Sequence, residues 1–308
     1  MEKETGVLNH FFNFSQRLGS NSSWVQAGGG NTSIKVDAGR MHVKASGWRL
    51  RDANVMAGFV CVNGQPVRDY YRRAAQAQDG NETQANQLIL DSAEPGARPS
   101  METGFHALMD TIVLHSHPVL SNILCCACEG PALFEELCRE HGLSWRWVPY
   151  ARPGHELTLA IARQLRDAPL VDPVGVWFLQ NHGIIVSAAR VDTAWQAHEK
   201  ALELTRQFLQ TKFSKMIDDR WVADLDPWRY LQARPEYITP DQIVFCAGSL
   251  PDPTPDASEV ASSIVTVLEN QKKLGLTPQY LTENDARALL QMESEKHRQI
   301  VARQQKDR

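Results

Sequence analysis

Apolar and polar residues alternate with a period of two in several short runs of this chain. Ser33-Ile-Lys-Val and Met41-His-Val-Lys flank Asp37-Ala-Gly-Arg40 and predict a β-hairpin. Phe59-Val-Cys-Val predicts another strand, closed by Asn63-Gly64, the strongest short hairpin signal. Strands are also expected over Thr111–His117, near Trp145–Val148, and on both sides of His182. Helical spacing governs other stretches. Over residues 4–18, Leu8, Phe11, Phe12 and Leu18 fall on one side and Gly19 ends the pattern. Helices are expected from Ser100 through Phe105, Leu108 and Met109, within Ser121–Cys128, over 132–141 and 157–166, and from Asp192 to about Lys215. Residues 70–98 are polar and end in Glu94-Pro-Gly-Ala-Arg-Pro99, which reads as an insertion. Residues 1–215 therefore combine a largely antiparallel sheet with flanking helices. Beyond them, Pro227, Pro235, Pro240, Pro251, Pro253 and Pro255 predict a loop-rich connector without helix. Two helical patterns follow, over 257–273 and from 282 to the end. Residues 216–308 are thus expected to be an extension packed on the main domain or on a neighbouring subunit.

Composition narrows the class of function. The 308 residues are 43% hydrophobic and 22% charged, enough to bury a substantial core. A net charge of −4 gives no electrostatic reason for nucleic acid or an anionic membrane as partner. No run approaches eighteen apolar residues, and the N-terminus is charged, so a cytoplasmic location is expected. Cys125, Cys126 and Cys128 cluster in an apolar stretch, which favours reduced, buried thiols. The Cys-x-x-Cys they contain lacks the preceding Pro and the upstream His-x-Glu of a zinc deaminase. Nor does it open a helix, as a thioredoxin-like redox motif would.

The chemistry concentrates in His115-Ser-His117-Pro and Asn181-His182-Gly183. On a strand, His115 and His117 share one face, roughly 7 Å apart at Cα. His182, at a strand-turn-strand corner, is the best candidate for a third ligand. Three imidazole nitrogens with an open fourth position suit catalytic Zn2+ or a similar divalent metal. Gly28-Gly-Gly30-Asn31-Thr32-Ser33 fails as a dinucleotide fingerprint, because a serine stands at the third glycine position and a strand follows. It lacks the Gly-Lys-Ser/Thr of a Walker loop. A structural turn and an anion cradle both remain open for it, with Asn31, Thr32 and Ser33 as side-chain donors. Lys44-Ala-Ser46-Gly47-Trp48 and Pro99-Ser100 are further small-polar turns that such a cradle could use. Glu102 is either a first-turn carboxylate favoured by the helix dipole or an acid/base beside the metal.

Together, Gly-Gly-Gly-Asn31-Thr-Ser, Lys-Ala-Ser46-Gly47, Pro-Ser100-Met-Glu102, His115-Ser-His117-Pro and Asn-His182-Gly resemble the class II aldolase/adducin family, in order and in approximate spacing, over residues 5–215. The closest likeness is to bacterial metal-dependent sugar-phosphate aldolases. The resemblance implies a three-layer α/β/α fold around a mainly antiparallel sheet and commonly a homotetramer. It implies zinc on the three histidines and Glu102 as acid/base. The expected substrate is a small carbohydrate, a ketose phosphate or sugar acid, cleaved through a metal-stabilised enediolate. Asn31, Ser46, Gly47 and Ser100 are then the phosphate-binding positions, with Gly30 and Thr32 beside them. Decarboxylation, dehydration or epimerisation on the same scaffold is the enzymatic alternative, and a non-catalytic adducin-like scaffold is the other. Two departures stand out. Met101 replaces a serine common before the glutamate, and no tyrosine among Tyr230, Tyr237 and Tyr280 is marked as the catalytic one found near the C-terminus of small aldolases.

Overall fold

The computed structural model describes residues 2–54, 57–169, 172–221, 225–234, 236–247 and 253–292. Seven strands form one sheet: β1 (Asn31–Lys35), β2 (Arg40–Lys44), β3 (Phe59–Asn63), β4 (Ile112–Ser116), β5 (Arg146–Val148), β6 (Gly175–Leu179) and β7 (Gly183–Ala188). Their spatial order is β3-β2-β1-β4-β7-β6-β5. Every neighbouring pair is antiparallel except β5 with β6, so the sheet is mixed at one edge.

Helices cover both faces. Ile34, Ile112, Leu114, Phe178, Ile184 and Val186 point to one side. They meet α1 (Glu2–Gly19), α5 (Val119–Cys125), α6 (Gly130–His141) and α8 (Val191–Phe213). On the other side Val113, Trp177, Leu179 and Ile185 meet α4 (Thr103–Leu108) and α7 (His155–Asp167). Met41, Val43, Val60 and Val62 meet α2 (Gly64–Ala77) and α3 (Glu82–Asp91) there. The strict alternation of these side chains follows from the pleat, and burial of both faces explains the apolar runs of β4, β6 and β7.

Three expectations need correction. Asn63-Gly64 does not turn a hairpin. The Asn63 side chain instead accepts the Gln65 N–H and starts α2. The polar stretch after it is not an insertion, because Val67, Tyr70, Tyr71, Ala74 and Ala75 lie at helical spacing and are buried. The proline-rich connector does contain helices, α9 (Pro227–Gln232) and α10 (Pro240–Cys246). Proline is tolerated in the first turn, where its missing N–H has no intrahelical partner, and Asp226 and Thr239 cap the two starts. Pro235 and Pro251 lie outside the described residues. The last two helices are α11 (Pro255–Leu274) and α12 (Glu283–Gln291), and the expected continuation past residue 292 lies outside the described residues.

The extension packs on the sheet domain. Val260, Ile264 and Val267 of α11 share a buried cluster with Val119, Cys126 and Ala27. Arg49 pairs with both Asp256 and Glu259 of α11, and the second carboxylate also accepts the Ala27 N–H at 2.8 Å. Cys125 and Cys126 are buried as expected, whereas Cys128 lies past the end of α5 and is exposed. No described helix is long and apolar enough to cross a membrane.

Candidate metal centre

His115 lies near the end of β4, paired with Asn31 of β1 on one side and Ile185 of β7 on the other. His117 follows one residue beyond the strand, and its N–H donates to the Trp24 carbonyl at 2.9 Å. His182 sits in the β6–β7 turn. Asn181 before it adopts a positive φ of 57°, which asparagine tolerates better than most residues. Gly183 after it lets β7 close on β4, since a Cβ there would meet the Ser116 carbonyl at 2.2 Å.

The three imidazoles form a nearly equilateral triangle, with centroid separations of 4.8, 4.9 and 4.8 Å. His115 Nδ1 lies 2.9 Å from the Ile184 carbonyl, which can only accept, so that nitrogen carries its proton. His117 Nδ1 likewise donates to Asp241 Oδ2 at 2.6 Å. The two Nε2 atoms face each other at 3.0 Å, lone pair against lone pair in the neutral rings. Such a contact repels unless a proton or a cation stands between them. His182 Nδ1 is buried without a hydrogen-bond partner among the described residues, and its Nε2 lies 3.7 Å from Glu102 Oε1. The three residues each offer a nitrogen, all within 4.8 Å of one another. The donor set therefore fits a divalent cation.

Electrostatics agree with that use. Burial pulls His115 down to about 3, helped by His117, so its ring stays neutral. Burial also disfavours charge on His117, but the Asp241 carboxylate outweighs it and holds this ring above its ordinary value.

Glu102 closes the constellation. It stands at the start of α4, yet its side chain makes no capping bond to the helix. Its Oε2 accepts the Asn31 amide at 2.6 Å and lies 3.5 Å from His115 Nε2, while Oε1 is buried without a hydrogen-bond partner among the described residues. Burial pushes this carboxyl up to about 7, against the opposing pull of His117 and Lys44. Ser100 does not cap a helix starting beside it. Its hydroxyl receives the Glu102 N–H at 3.3 Å and one Asn31 amide hydrogen at 3.2 Å.

A cleft opens onto His117, His182 and Glu102. Gly30, Asn31, Ser46, Gly47, Ser100 and Met101 line it, so three separate loops meet there. Thr32 is the exception among the expected binding residues. As the next residue on β1 it faces the opposite side from Asn31, where its hydroxyl pairs with Ser15 at 2.8 Å. Lys44 also reaches the cleft, with its ammonium on the carbonyls of Gly28 at 2.9 Å and Trp48 at 2.8 Å. None of Tyr230, Tyr237 and Tyr280 lines the cleft. Sequence reasoning missed its far wall, made by Pro153 and by Pro240, Asp241, Val244 and Leu289 of the extension. Pro240, Asp241 and Val244 fall in the stretch expected to be a helix-free connector and Leu289 in a helical pattern, and nothing in their spacing signals a site.

The model of the Class II Aldolase and Adducin N-terminal domain matches residues 9–209. The chain belongs to the class II aldolase and adducin family. Class II aldolases depend on a divalent metal, and the histidine triad is where this chain could bind one. A Bacillus subtilis (strain 168) protein described as uncharacterized oxidoreductase YuxG is 28% identical over 210 residues, or 65% of this chain. The match spans only 29% of that relative's length. The fold is similar to the N-terminal class II aldolase domain of a conserved protein from Thermoplasma acidophilum, with a TM-score of 0.53 and 21% identity, covering 66% of this chain and 93% of that one. A sugar-phosphate aldolase from Thermotoga maritima aligns with a TM-score of 0.49 and 12% identity, over 70% of this chain and 99% of its own.

Proposed function

We propose that the protein is a metal-dependent carbon–carbon lyase of the aldolase type, acting on a small ketose phosphate or sugar acid. The observation that carries this reading is the convergence of three buried imidazoles, two of them with Nε2 atoms 3.0 Å apart, on a carboxyl group whose Oε1 has no hydrogen-bond partner among the described residues. A scaffold without catalysis has no use for such an arrangement. His115, His117 and His182 would hold the metal, with Zn2+ the expected ion. A divalent cation there would supply Lewis-acid stabilisation of the charge that develops on an enediolate.

This chain's own groups supply the remainder. Glu102 moves the proton at carbon, since its carboxyl group is buried beside the three imidazoles, 3.5 Å from His115 and 3.7 Å from His182. Asn31 holds Oε2 and so turns Oε1 toward the cleft. Ser46, Ser100 and the backbone of the glycine loop face the substrate's far end. Both amide hydrogens of Asn31 are occupied, by Glu102 and by Ser100, so this residue has little left for a phosphate. That neutral, partly committed donor set also favours a second reading, a free sugar acid that is decarboxylated, dehydrated or epimerised through the same enediolate. The homotetrameric assembly belongs to this proposal on the strength of the family resemblance, and the cytoplasmic location on the sequence features given above.

The test uses the partial reaction. Metal-loaded protein should exchange the carbon-bound proton of dihydroxyacetone phosphate, or of an unphosphorylated hydroxyketone, with deuterium from solvent. Glu102→Gln should keep its metal while exchange falls by about two to four decades. A wild-type protein that binds metal but exchanges neither compound, nor any sugar acid offered, would contradict the proposal.

A further inference from the structure

Part of the metal centre comes from outside the matched family region, residues 9–209. α10 begins at Pro240, and the carboxylate of its second residue, Asp241, takes the Nδ1–H of His117 at 2.6 Å. We propose that Asp241 is a positioning residue for the metal centre, so that the C-terminal extension completes a site the family domain leaves unfinished. The inference rests on the metal-binding reading given above.

An imidazole has two nitrogens, and which of them is free to bind a metal depends on the bond the other makes. With Nδ1–H given to Asp241, His117 must present the lone pair of Nε2, and that atom is the one facing His115 Nε2 at 3.0 Å. The carboxylate also makes the ring a better electron donor than a neutral acceptor would. For His115 the same task falls to the Ile184 carbonyl, inside the family domain. For His117 the acceptor comes from a residue 124 positions away.

The surroundings are built around this bond. A Cβ on Gly29 would stand 2.5 Å from Asp241 Oδ2 and 2.9 Å from His117 Nδ1, so only glycine leaves room for the pair. The glycine loop therefore has a use beyond any anion. α10 is itself held in register with the ligands. Asn181, the residue before His182, donates its amide hydrogens to the carbonyls of Ile238 at 2.9 Å and Gln279 at 2.7 Å. Gln242 accepts the Ile238 N–H at 2.8 Å, and Thr239 caps the helix. One side chain thus ties the turn carrying one ligand to the segment supporting another. An acid in a first helical turn has a bland explanation in the helix dipole. Thr239 already caps this helix, however, and the Asp241 carboxylate is spent on an imidazole.

The experiment compares the full-length wild type with Asp241→Ala, Asp241→Asn and Gly29→Ala. Each is stripped by a chelator and titrated with Zn2+ against a chromophoric competitor. Each is then titrated with Co2+, whose visible absorption reports ligand geometry. Asp241→Ala should bind Zn2+ about 10–100-fold more weakly, the usual cost of losing such a partner, and should shift the Co2+ bands. Asp241→Asn keeps an acceptor without the charge and should recover most of the loss, ending about three- to tenfold below wild type. Gly29→Ala should resemble Asp241→Ala, because its methyl group displaces the carboxylate. Affinity and spectrum unchanged in Asp241→Ala overturn the assignment. If that variant does not fold, Asp241→Asn matching wild type in both readouts overturns it equally. A wild type that binds neither ion overturns the metal-binding reading itself, and so can be told apart from failure of the Asp241 role alone.

Discussion

Replacing Gly183 by alanine adds one methyl group where β7 presses closest on β4. The new Cβ would lie 2.2 Å from the Ser116 carbonyl oxygen, 3.0 Å from His117 Cδ2 and 3.1 Å from His117 Cα. Ordinary contacts between such atoms are about 3.5 Å, so the strands must part by more than an ångström or the turn must swing away. Two of the three close atoms are backbone, and no flexible side chain can give way instead. Over-packing typically costs about 1–3 kcal/mol and occasionally more, and a contact this short belongs at the upper end. About 3 kcal/mol, at roughly 2–3 °C per kcal/mol for a chain of this size, lowers Tm by about 6–9 °C. The distortion falls between His117 and His182, so metal content should drop as well. Gly6→Ala is the natural control. Nothing lies within 4 Å of its Cβ, and it sits within α1, where alanine stabilises by roughly 0.5–1 kcal/mol over glycine. Thermal unfolding and metal analysis of both variants decide the matter. A Gly183→Ala protein with wild-type Tm and full metal content would refute the claim that the Asn-His-Gly turn is shaped by close approach.

Three further outcomes are expected. Alanine at both His115 and His117 should abolish stoichiometric metal, and metal persisting at one ion per chain would remove them as ligands. Met101→Ser adds a hydroxyl beside Ser100 and should raise the preference for a phosphorylated over a free substrate by about tenfold, the equivalent of one hydrogen bond to a charged group; an unchanged kcat/KM ratio argues for a substrate without phosphate. His198 is buried with Nε2 2.7 Å from Ser116, and burial lowers it to about 3, below the 6.5 of an unfolded chain. The unfolded state therefore takes up the proton first. The contribution of His198 to stability is full above about pH 6.5 and falls by about 1.4 kcal/mol per pH unit below it. Urea unfolding at pH 7 and pH 5 should show His198→Gln losing about 2 kcal/mol less than wild type over that interval, and equal losses would refute the assignment.

Much of the site was readable because its signals are local. His115 and His117 announce themselves through the period of two, and the apolar runs around them identify a buried strand. The same period places Thr32 on the face opposite Asn31 once β1 is known to begin at Asn31, but the preceding glycines hide where the strand starts. α2 escaped for a different reason. Asn63-Gly64 has the composition of a type I′ turn, yet the asparagine can equally cap a helix, and only the burial of Val67, Tyr70, Tyr71, Ala74 and Ala75 decides between them. The connector shows the same ambiguity in proline, which ends one helix as readily as it begins another.

Asp241 could not have been found this way, and the reason is general to sites completed from a distance. The sequence reads this stretch as a helix-free connector, and the structure explains Thr239-Pro240-Asp241-Gln242 as a helix start: a cap, a proline at the first position and an acid in the first turn. A segment whose local grammar is satisfied offers no residue that calls for another explanation. The partner, 124 positions away, is equally satisfied as half of a His-x-His strand motif. Only when both are placed does the glycine between them acquire its reason, because Gly29 is the residue whose missing side chain admits the pair. A glycine that fits no phosphate-binding motif is thus better read as a request for space, and the question it raises is which two groups, from which parts of the chain, need to meet there.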